Sequence, residues 1–157
     1  MNPPSKRAAK AEPRLLVLII EDNQDHWLLM ETALIASYPR LTLSRVASKA
    51  EAVAYLNQRQ VSGFLPDLIL LDLYLPDRQE GLSMLETIRS MPSPIQVLPV
   101  VIFSASAREE DIKECYQQGA NSYIIKPHQA KEWPEFMAIL LDFWGRTATL
   151  VQTDFID

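Results

Sequence analysis

Residues 67–75 read DLILLDLYL, an apolar run that is interrupted internally by one acid, Asp72. A second run, LLVLII over residues 15–20, ends at the acids Glu21 and Asp22. Continuous apolar runs of this length are typical of strands that are buried on both faces of a parallel sheet. We therefore predict two central strands, each with acids at or near its carboxyl end.

Strand-like and helix-like segments alternate along the rest of the chain. Three more strands are predicted over residues 41–46, 97–103 and 122–125, and the alternating pattern of the first favours an edge strand. Helical spacing of apolar residues predicts helices over 25–37, from the N-cap Ser48 to Leu56, and over 81–90, 107–118 and 134–144. Such alternation implies one parallel sheet that is covered on both faces by right-handed crossovers. We therefore predict an α/β fold.

Chemically active side chains accompany the carboxyl ends of four predicted strands. They are Glu21 and Asp22 after the first strand, Asp72 in the third, Ser104 after the fourth and Lys126 after the fifth. Open parallel sheets place their ligand sites beyond the carboxyl ends of the strands. We therefore expect these side chains to converge on one edge of the sheet, although a single acid after a strand is often only a helix N-cap.

The combination of residue types indicates phosphoryl chemistry. Three neighbouring carboxylates repel one another unless they bind a proton or a cation, and Mg²⁺ accepts a few carboxylates together with water. A carboxylate beside Mg²⁺ can attack phosphorus and form an acyl phosphate. The phosphoryl oxygens then need donors, which Lys126 and Ser104 can supply.

Four segments resemble the motifs of the receiver domain of two-component response regulators. They are IIEDN (19–23), LILLDLYLPD (68–77), VVIFSAS (100–106) and YIIKP (123–127). The resemblance covers about residues 14–144. It implies a doubly wound, flavodoxin-like (βα)5 fold with a five-stranded parallel sheet in the order 2-1-3-4-5.

The resemblance also implies a role for each residue. By position, Asp72 corresponds to the phosphoryl acceptor. The other implied roles are Mg²⁺ ligands for Glu21, Asp22, Asp72 and the backbone carbonyl of Tyr74, a switch hydroxyl for Ser104, a switch aromatic for Tyr123 and a phosphate-binding lysine for Lys126. A cis Lys126–Pro127 bond is implied as well. Tyr74 and Ser106 occupy the variable positions that influence the rate of dephosphorylation in the family.

The function that follows is a phosphoryl-accepting switch rather than an enzyme. A histidine kinase is expected to phosphorylate Asp72, and the added charge draws Ser104 inward so that Tyr123 changes rotamer. Only self-phosphorylation and autodephosphorylation are expected as chemistry. Residues 58–65 and 91–98 are longer than in a minimal receiver, and they resemble those of single-domain regulators that partner phytochrome-type kinases.

The predicted last helix, 134–144, is apolar on more than one stripe, which is unusual for a surface helix. Phe136, Ile139, Leu140 and Phe143 are expected to face the sheet, and Met137, Leu141 and Trp144 to face elsewhere. We expect a homodimer or partner interface on the last helices and last strand, with Tyr116, Tyr123 and Trp133 as aromatic anchors. The alternative is that the C-terminal residues fold back over this face.

Two other functions stay open at this point. The chain could be a dimeric adaptor that binds its partner independently of phosphorylation. It could also be an aspartyl-phosphate phosphatase of the haloacid type. That family is marked by a D-x-D motif, however, and Tyr74 stands here where the motif has its second acid.

Length and composition limit the classes further. A chain of 157 residues fits one domain, with a basic tail over 1–13, a receiver over 14–144 and an extension over 145–157 that is too short for a second domain. The net charge of −5 argues against direct nucleic-acid binding. One cysteine excludes an internal disulfide, and no apolar run is typical of a signal peptide or a membrane span. We expect a cytoplasmic protein.

Overall fold

Five apolar segments form the strands of one parallel sheet in the computed structural model, which describes residues 12–151. The strands are β1 (Leu15–Ile20), β2 (Leu41–Val46), β3 (Leu68–Leu71), β4 (Val100–Ser104) and β5 (Ser122–Ile125). Their order is β2-β1-β3-β4-β5, with β2 at an edge. The predicted fold class, strand order and edge strand are therefore confirmed. Most of the predicted tail over 1–13, and part of the predicted extension over 145–157, lie outside the described residues.

Helices cover both faces of the sheet. They are α1 (Gln24–Ser37), α2 (Lys49–Ser62), α3 (Arg78–Ser90), α4 (Glu109–Gln117) and α5 (Trp133–Leu141). One apolar cluster joins α2, α3 and α4 to the sheet through residues such as Leu18 and Ile20. The other joins α1 and α5 to the opposite face through Val17 and Ile19. Successive residues of β1 thus point to opposite, equally buried faces, which is why its sequence is apolar throughout. None of the helices within residues 12–151 has the length and hydropathy that crossing a membrane would need.

Two strands are shorter than predicted. β3 ends at Leu71, and the chain then turns, because the Tyr74 N–H donates to Asp72 Oδ1 at 3.1 Å instead of to a neighbouring strand. β4 begins at Val100, and Ile95–Val97 form a 3-10 turn before it. Leu73, Leu75 and Ile95 are buried although they lie outside the strands, whereas Val97 is 51% exposed. Hydrophobicity alone therefore overestimated the strand length.

The last helix packs through a different stripe from the predicted one. Its buried residues are Trp133, Met137, Leu140 and Leu141, whereas Phe136, Ile139 and Phe143 are exposed. Among the residues with a predicted orientation, Leu140 is buried as expected, whereas the prediction was wrong for Phe136, Met137, Ile139, Leu141 and Phe143. Helical periodicity defines two apolar stripes here, and packing of α5 against α1 as well as the sheet selects the stripe that is buried. Trp133 cannot be an interface anchor, because it is only 3% exposed.

The end of α5 and one peptide bond also differ from expectation. The α-helix ends at Leu141 instead of Trp144, and a π-helical turn, Asp142–Thr147, follows it. Among the described residues, cis bonds precede Pro76 and Pro94 and none precedes Pro127, so the expected cis Lys126–Pro127 bond was wrong. Lys126 reaches its carboxylate partners without it.

Gly81 in the first turns of α3 permits a close approach to the segment after β3. A Cβ atom at this position would lie 1.6 Å from the carbonyl oxygen of Leu73, the residue that follows Asp72. The absence of a side chain at Gly81 therefore lets α3 pack directly against the backbone next to Asp72.

We expect Gly81→Ala to lower the free energy of unfolding by about 3 kcal/mol, because the added methyl group must displace backbone. Urea unfolding monitored by circular dichroism measures this. Glu86→Ala, at an exposed position of the same helix, is the control and should change stability by less than about 0.5 kcal/mol. Equal stability of the two variants would contradict the packing described.

Candidate functional site

Three acids meet at the carboxyl ends of β1 and β3. Carboxylate oxygens of Glu21, Asp22 and Asp72 all lie within 4.8 Å of one another. Glu21 and Asp72 are buried, whereas Asp22 is exposed. Adjacent parallel strands pair in register up to Ile20 opposite Leu71, so the residues that follow each strand emerge side by side. The sheet thus brings together the three acids that the sequence singled out.

Lys126 extends from the end of β5 into this acidic cluster. Its ammonium group is almost completely buried and donates to Glu21 Oε1 at 2.7 Å and to Asp72 Oδ2 at 3.0 Å. The backbone N–H of Lys126 donates to the carbonyl oxygen of Ser104 at 2.7 Å, which holds the lysine against the end of β4. One buried cation therefore bridges the acids of β1 and β3.

His26 is a site residue that the sequence analysis did not single out. Its Nδ1 lies 2.9 Å from Lys126 Nζ and 3.3 Å from Glu21 Oε1. Burial and the charge of Lys126 lower the pKa of the ring, so His26 is neutral and its Nδ1 accepts from the lysine. The available signal was its position in the first turn of α1, which begins directly after the acids of β1.

The acidic cluster holds more negative charge than Lys126 compensates. Burial, followed by the neighbouring Asp72 carboxylate, raises the pKa of Glu21 to about 8, although Lys126 opposes the shift. Glu21 Oε2 is buried and has no hydrogen-bond partner among the described residues. An unpartnered carboxylate oxygen beside two further carboxylates suits Mg²⁺, which prefers oxygen ligands.

Ser104 and Tyr123 are linked through one short segment. Ser104 is the fully buried last residue of β4, and its hydroxyl oxygen accepts from the N–H of Ser106 at 3.2 Å. The phenol of the partly buried Tyr123 donates to the carbonyl oxygen of the same Ser106 at 2.7 Å. Ser106 therefore contacts both Ser104 and Tyr123.

Comparison with known proteins identifies the family. The family model of the response regulator receiver domain matches residues 17–137. This range includes all five residues of the strand ends, namely three acids, one hydroxyl and one lysine. The chain belongs to the response regulator receiver domain family. Receivers are signalling proteins and not conventional enzymes, so membership does not support the haloacid-type phosphatase alternative.

Several relatives of this receiver are similar over nearly their whole length. The structure of phosphorylated RcpA, a cyanobacterial phytochrome response regulator, superposes with a TM-score of 0.81 at 34% identity, covering 89% of this chain and 100% of RcpA. Response regulator Rcp1 of Synechocystis sp. is 29% identical over 90% of this chain and 96% of its own length. The structure of the Mn²⁺-bound form of Rcp1 gives a TM-score of 0.77 over 89% of this chain and 100% of Rcp1.

We expect the stability of this receiver, without divalent cations, to fall as the pH rises from about 5 to about 8. Folded Glu21 keeps its proton up to a pKa of about 8, against 4.5 ordinarily. Between these values the folded chain binds more protons than the unfolded chain, so stability falls by at most about 1.4 kcal/mol per pH unit from this group. Glu21→Gln should remove that contribution.

Urea unfolding in EDTA at a series of pH values measures the difference in slope between Glu21→Gln and the wild type. Glu86→Gln is the control, because Glu86 is exposed on α3, and it should keep the wild-type slope. Identical slopes for all three proteins would show that Glu21 ionises normally in the folded state.

Proposed function

We propose that this receiver accepts a phosphoryl group on Asp72 from a histidine kinase. Glu21, Asp22 and Asp72, with the backbone carbonyl of Tyr74, would hold Mg²⁺. The main support is the buried contact of Lys126 with both Asp72 and Glu21, because a buried ammonium beside a nucleophilic carboxylate is positioned to bind the incoming phosphoryl group.

Each oxygen of Asp72 has a defined partner. Oδ2 accepts from Lys126 at 3.0 Å and Oδ1 accepts from the Tyr74 N–H at 3.1 Å, so the carboxylate is fixed in one orientation. In the transfer, one Asp72 oxygen forms a bond to phosphorus while the bond between phosphorus and the kinase histidine breaks. Mg²⁺, when bound, neutralises the charge of the acids and of the phosphoryl oxygens. Lys126 and the Ser104 hydroxyl are expected to donate to the transferred group.

The phosphoryl group would alter the surface around β5. Attraction of Ser104 toward the new charge pulls on the segment to Ser106, whose carbonyl oxygen holds the Tyr123 phenol. We infer that Tyr123 then changes rotamer, and that the surface of α4, β5 and α5 changes with it. Such a local change in charge biases a two-state packing element.

The surface that reads out this change is apolar. The exposed stripe of α5, the π-helical turn after it and the strand β5 form a groove of about 300 Å³. The groove is lined by Ser122, Ile124, Phe136, Ile139, Leu140, Phe143 and Trp144. Ile139 is 61% exposed and Phe143 51% exposed. Large apolar side chains grouped at the surface are typical of protein interaction sites. We propose that this receiver forms a homodimer through the groove.

The similarity to RcpA, a cyanobacterial phytochrome response regulator, supports a phytochrome-type histidine kinase as the phosphoryl donor. The similarity covers the whole of RcpA at 34% identity, which is consistent with a shared kinase-facing surface. The second candidate is a dimeric adaptor that assembles without the phosphoryl group, because the exposed apolar side chains of the groove can pack against a second copy by themselves.

We expect wild-type protein incubated with acetyl phosphate and Mg²⁺ to gain one phosphoryl group, detected by intact mass, and to gain none in EDTA. Asp72→Asn should gain none, because the nucleophilic carboxylate is absent. Asp77→Asn is the control, since Asp77 caps α3 in the next loop and Asn also caps well. An adduct on Asp72→Asn, or none on folded wild type, would refute the proposal.

For the interface, we expect sedimentation with acetyl phosphate and Mg²⁺ to show a dimer for the wild type and a monomer for Ile139→Glu, because the new charge lies in the apolar groove. Val61→Glu, at an 89% exposed position of α2, should remain dimeric. Repeating the measurement without acetyl phosphate separates the two candidates: a dimer only after phosphorylation supports the switch, and a dimer in both states supports the adaptor. Monomers throughout would refute the proposed homodimer.

A further inference from the structure

Asp111, in the first turn of α4, is a completely buried acid outside the acidic cluster of the proposed site. Three side chains bind its carboxylate. The Tyr74 phenol donates to Oδ2 at 2.9 Å, the Ser106 hydroxyl donates to Oδ2 at 2.5 Å, and Arg78 Nε donates to Oδ1 at 2.6 Å.

These partners keep the buried carboxylate ionised. Burial by itself raises the pKa of Asp111, but the hydrogen bonds from Ser106, Arg78 and Tyr74 outweigh it and hold the pKa below its usual range. A buried charge with several charge-assisted hydrogen bonds holds its partners in defined positions. The donors come from three segments: the loop after β3, the start of α3 and the loop after β4.

Two of these donors are also joined directly to the proposed phosphoryl site. Tyr74 lies two residues after Asp72, and its N–H donates to Asp72 Oδ1 at 3.1 Å. Ser106 lies two residues after Ser104, and its N–H donates to Ser104 Oγ at 3.2 Å. Asp111 therefore holds the side chains of both residues whose backbone N–H groups bind the acceptor and the switch hydroxyl.

We propose that Asp111 is a positioning residue that sets the lifetime of the phosphoryl group on Asp72. Through a shared carboxylate oxygen it holds the Tyr74 ring and Ser106 together across the gap between the loops after β3 and β4. Closing that gap limits the approach of water to phosphorus. This proposal rests on the proposed function of Asp72 as the phosphoryl acceptor.

The step that Asp111 slows is hydrolysis of the acyl phosphate. A water oxygen bonds to phosphorus, the bond between phosphorus and the Asp72 oxygen breaks, and the products are the Asp72 carboxylate and inorganic phosphate, with the proton of water released. Asp111 does not touch the reacting atoms in this step. It acts only through Tyr74 and Ser106, the two side chains that it positions.

A second contact of Arg78 provides a control that separates a purely structural role of Asp111 from its positioning role. Its guanidinium also pairs with Glu114, at 2.5 Å, on the same helix as Asp111. Glu114 is half-exposed and pairs with Arg78 at the start of α3, whereas Tyr74 and Ser106 donate to Asp111. Glu114→Gln therefore weakens the attachment of α4 to Arg78 and leaves both hydroxyl contacts of Asp111 in place.

The test follows loss of the phosphoryl group by intact mass after phosphorylation with acetyl phosphate and Mg²⁺ and removal of the donor. We expect Asp111→Asn, which keeps the side-chain volume, to lose the group about tenfold faster, the factor for about one charge-assisted hydrogen bond. Glu114→Gln should decay at the wild-type rate. In a Tyr74→Phe, Ser106→Ala background, Asp111→Asn should cause no further acceleration.

Tyr74→Phe alone removes only the phenol contact, and it should accelerate decay even if Asp111→Asn does not fold. A wild-type decay rate in both Tyr74→Phe and folded Asp111→Asn would overturn the proposal, as would full acceleration by Asp111→Asn in the double background. If the wild type acquires no phosphoryl group, the proposed function fails and this inference fails with it. Normal phosphorylation with unchanged decay refutes this inference alone.

Discussion

The buried contact of Lys126 with Glu21 and Asp72 is the constraint on which the arrangement of the site depends. One ammonium group lies between two buried carboxylates, with a third acid nearby, so the cluster is short of positive charge. Burial of unequal charges is unfavourable unless a proton or a cation corrects the balance. Glu21 supplies one correction by holding a proton to a pKa of about 8, and a divalent cation would supply the other.

The order of the strands in the sheet makes this cluster possible. β1 and β3 are central neighbours, so their carboxyl ends place Glu21 and Asp72 side by side, while β5 lies at the far edge and sends a long side chain inward. The lysine side chain is long enough to bring its ammonium group within 3.0 Å of both carboxylates. The first turns of α1 and α3 close the site from the two faces, with His26 beside Lys126 and Gly81 against the backbone after Asp72.

Part of this arrangement could be predicted from the pattern of residue types along the sequence. The apolar runs around Ile20 and Leu70 are buried on both faces, so their patterns indicated central strands, and the polar residues that follow them could be assigned to one edge. The strand predictions failed where buried apolar residues lie outside a strand, as for Leu73 and Leu75, which are buried in a loop. They also failed in α5, because two apolar stripes on one helix are equivalent until its neighbours are known.

The sequence by itself determined the fold class and, through family resemblance, the strand order. It also determined which side chains lie at one edge of the sheet, namely Glu21, Asp22, Asp72, Ser104 and Lys126. Each of these depends on local patterns or on the rule that parallel strands end together. Only the tertiary structure decided that His26 joins the lysine and that Asp111 gathers Tyr74, Ser106 and Arg78. A histidine in a turn and an acid at a helix start are ordinary surface features in a sequence, and packing between distant segments is what buried and paired them.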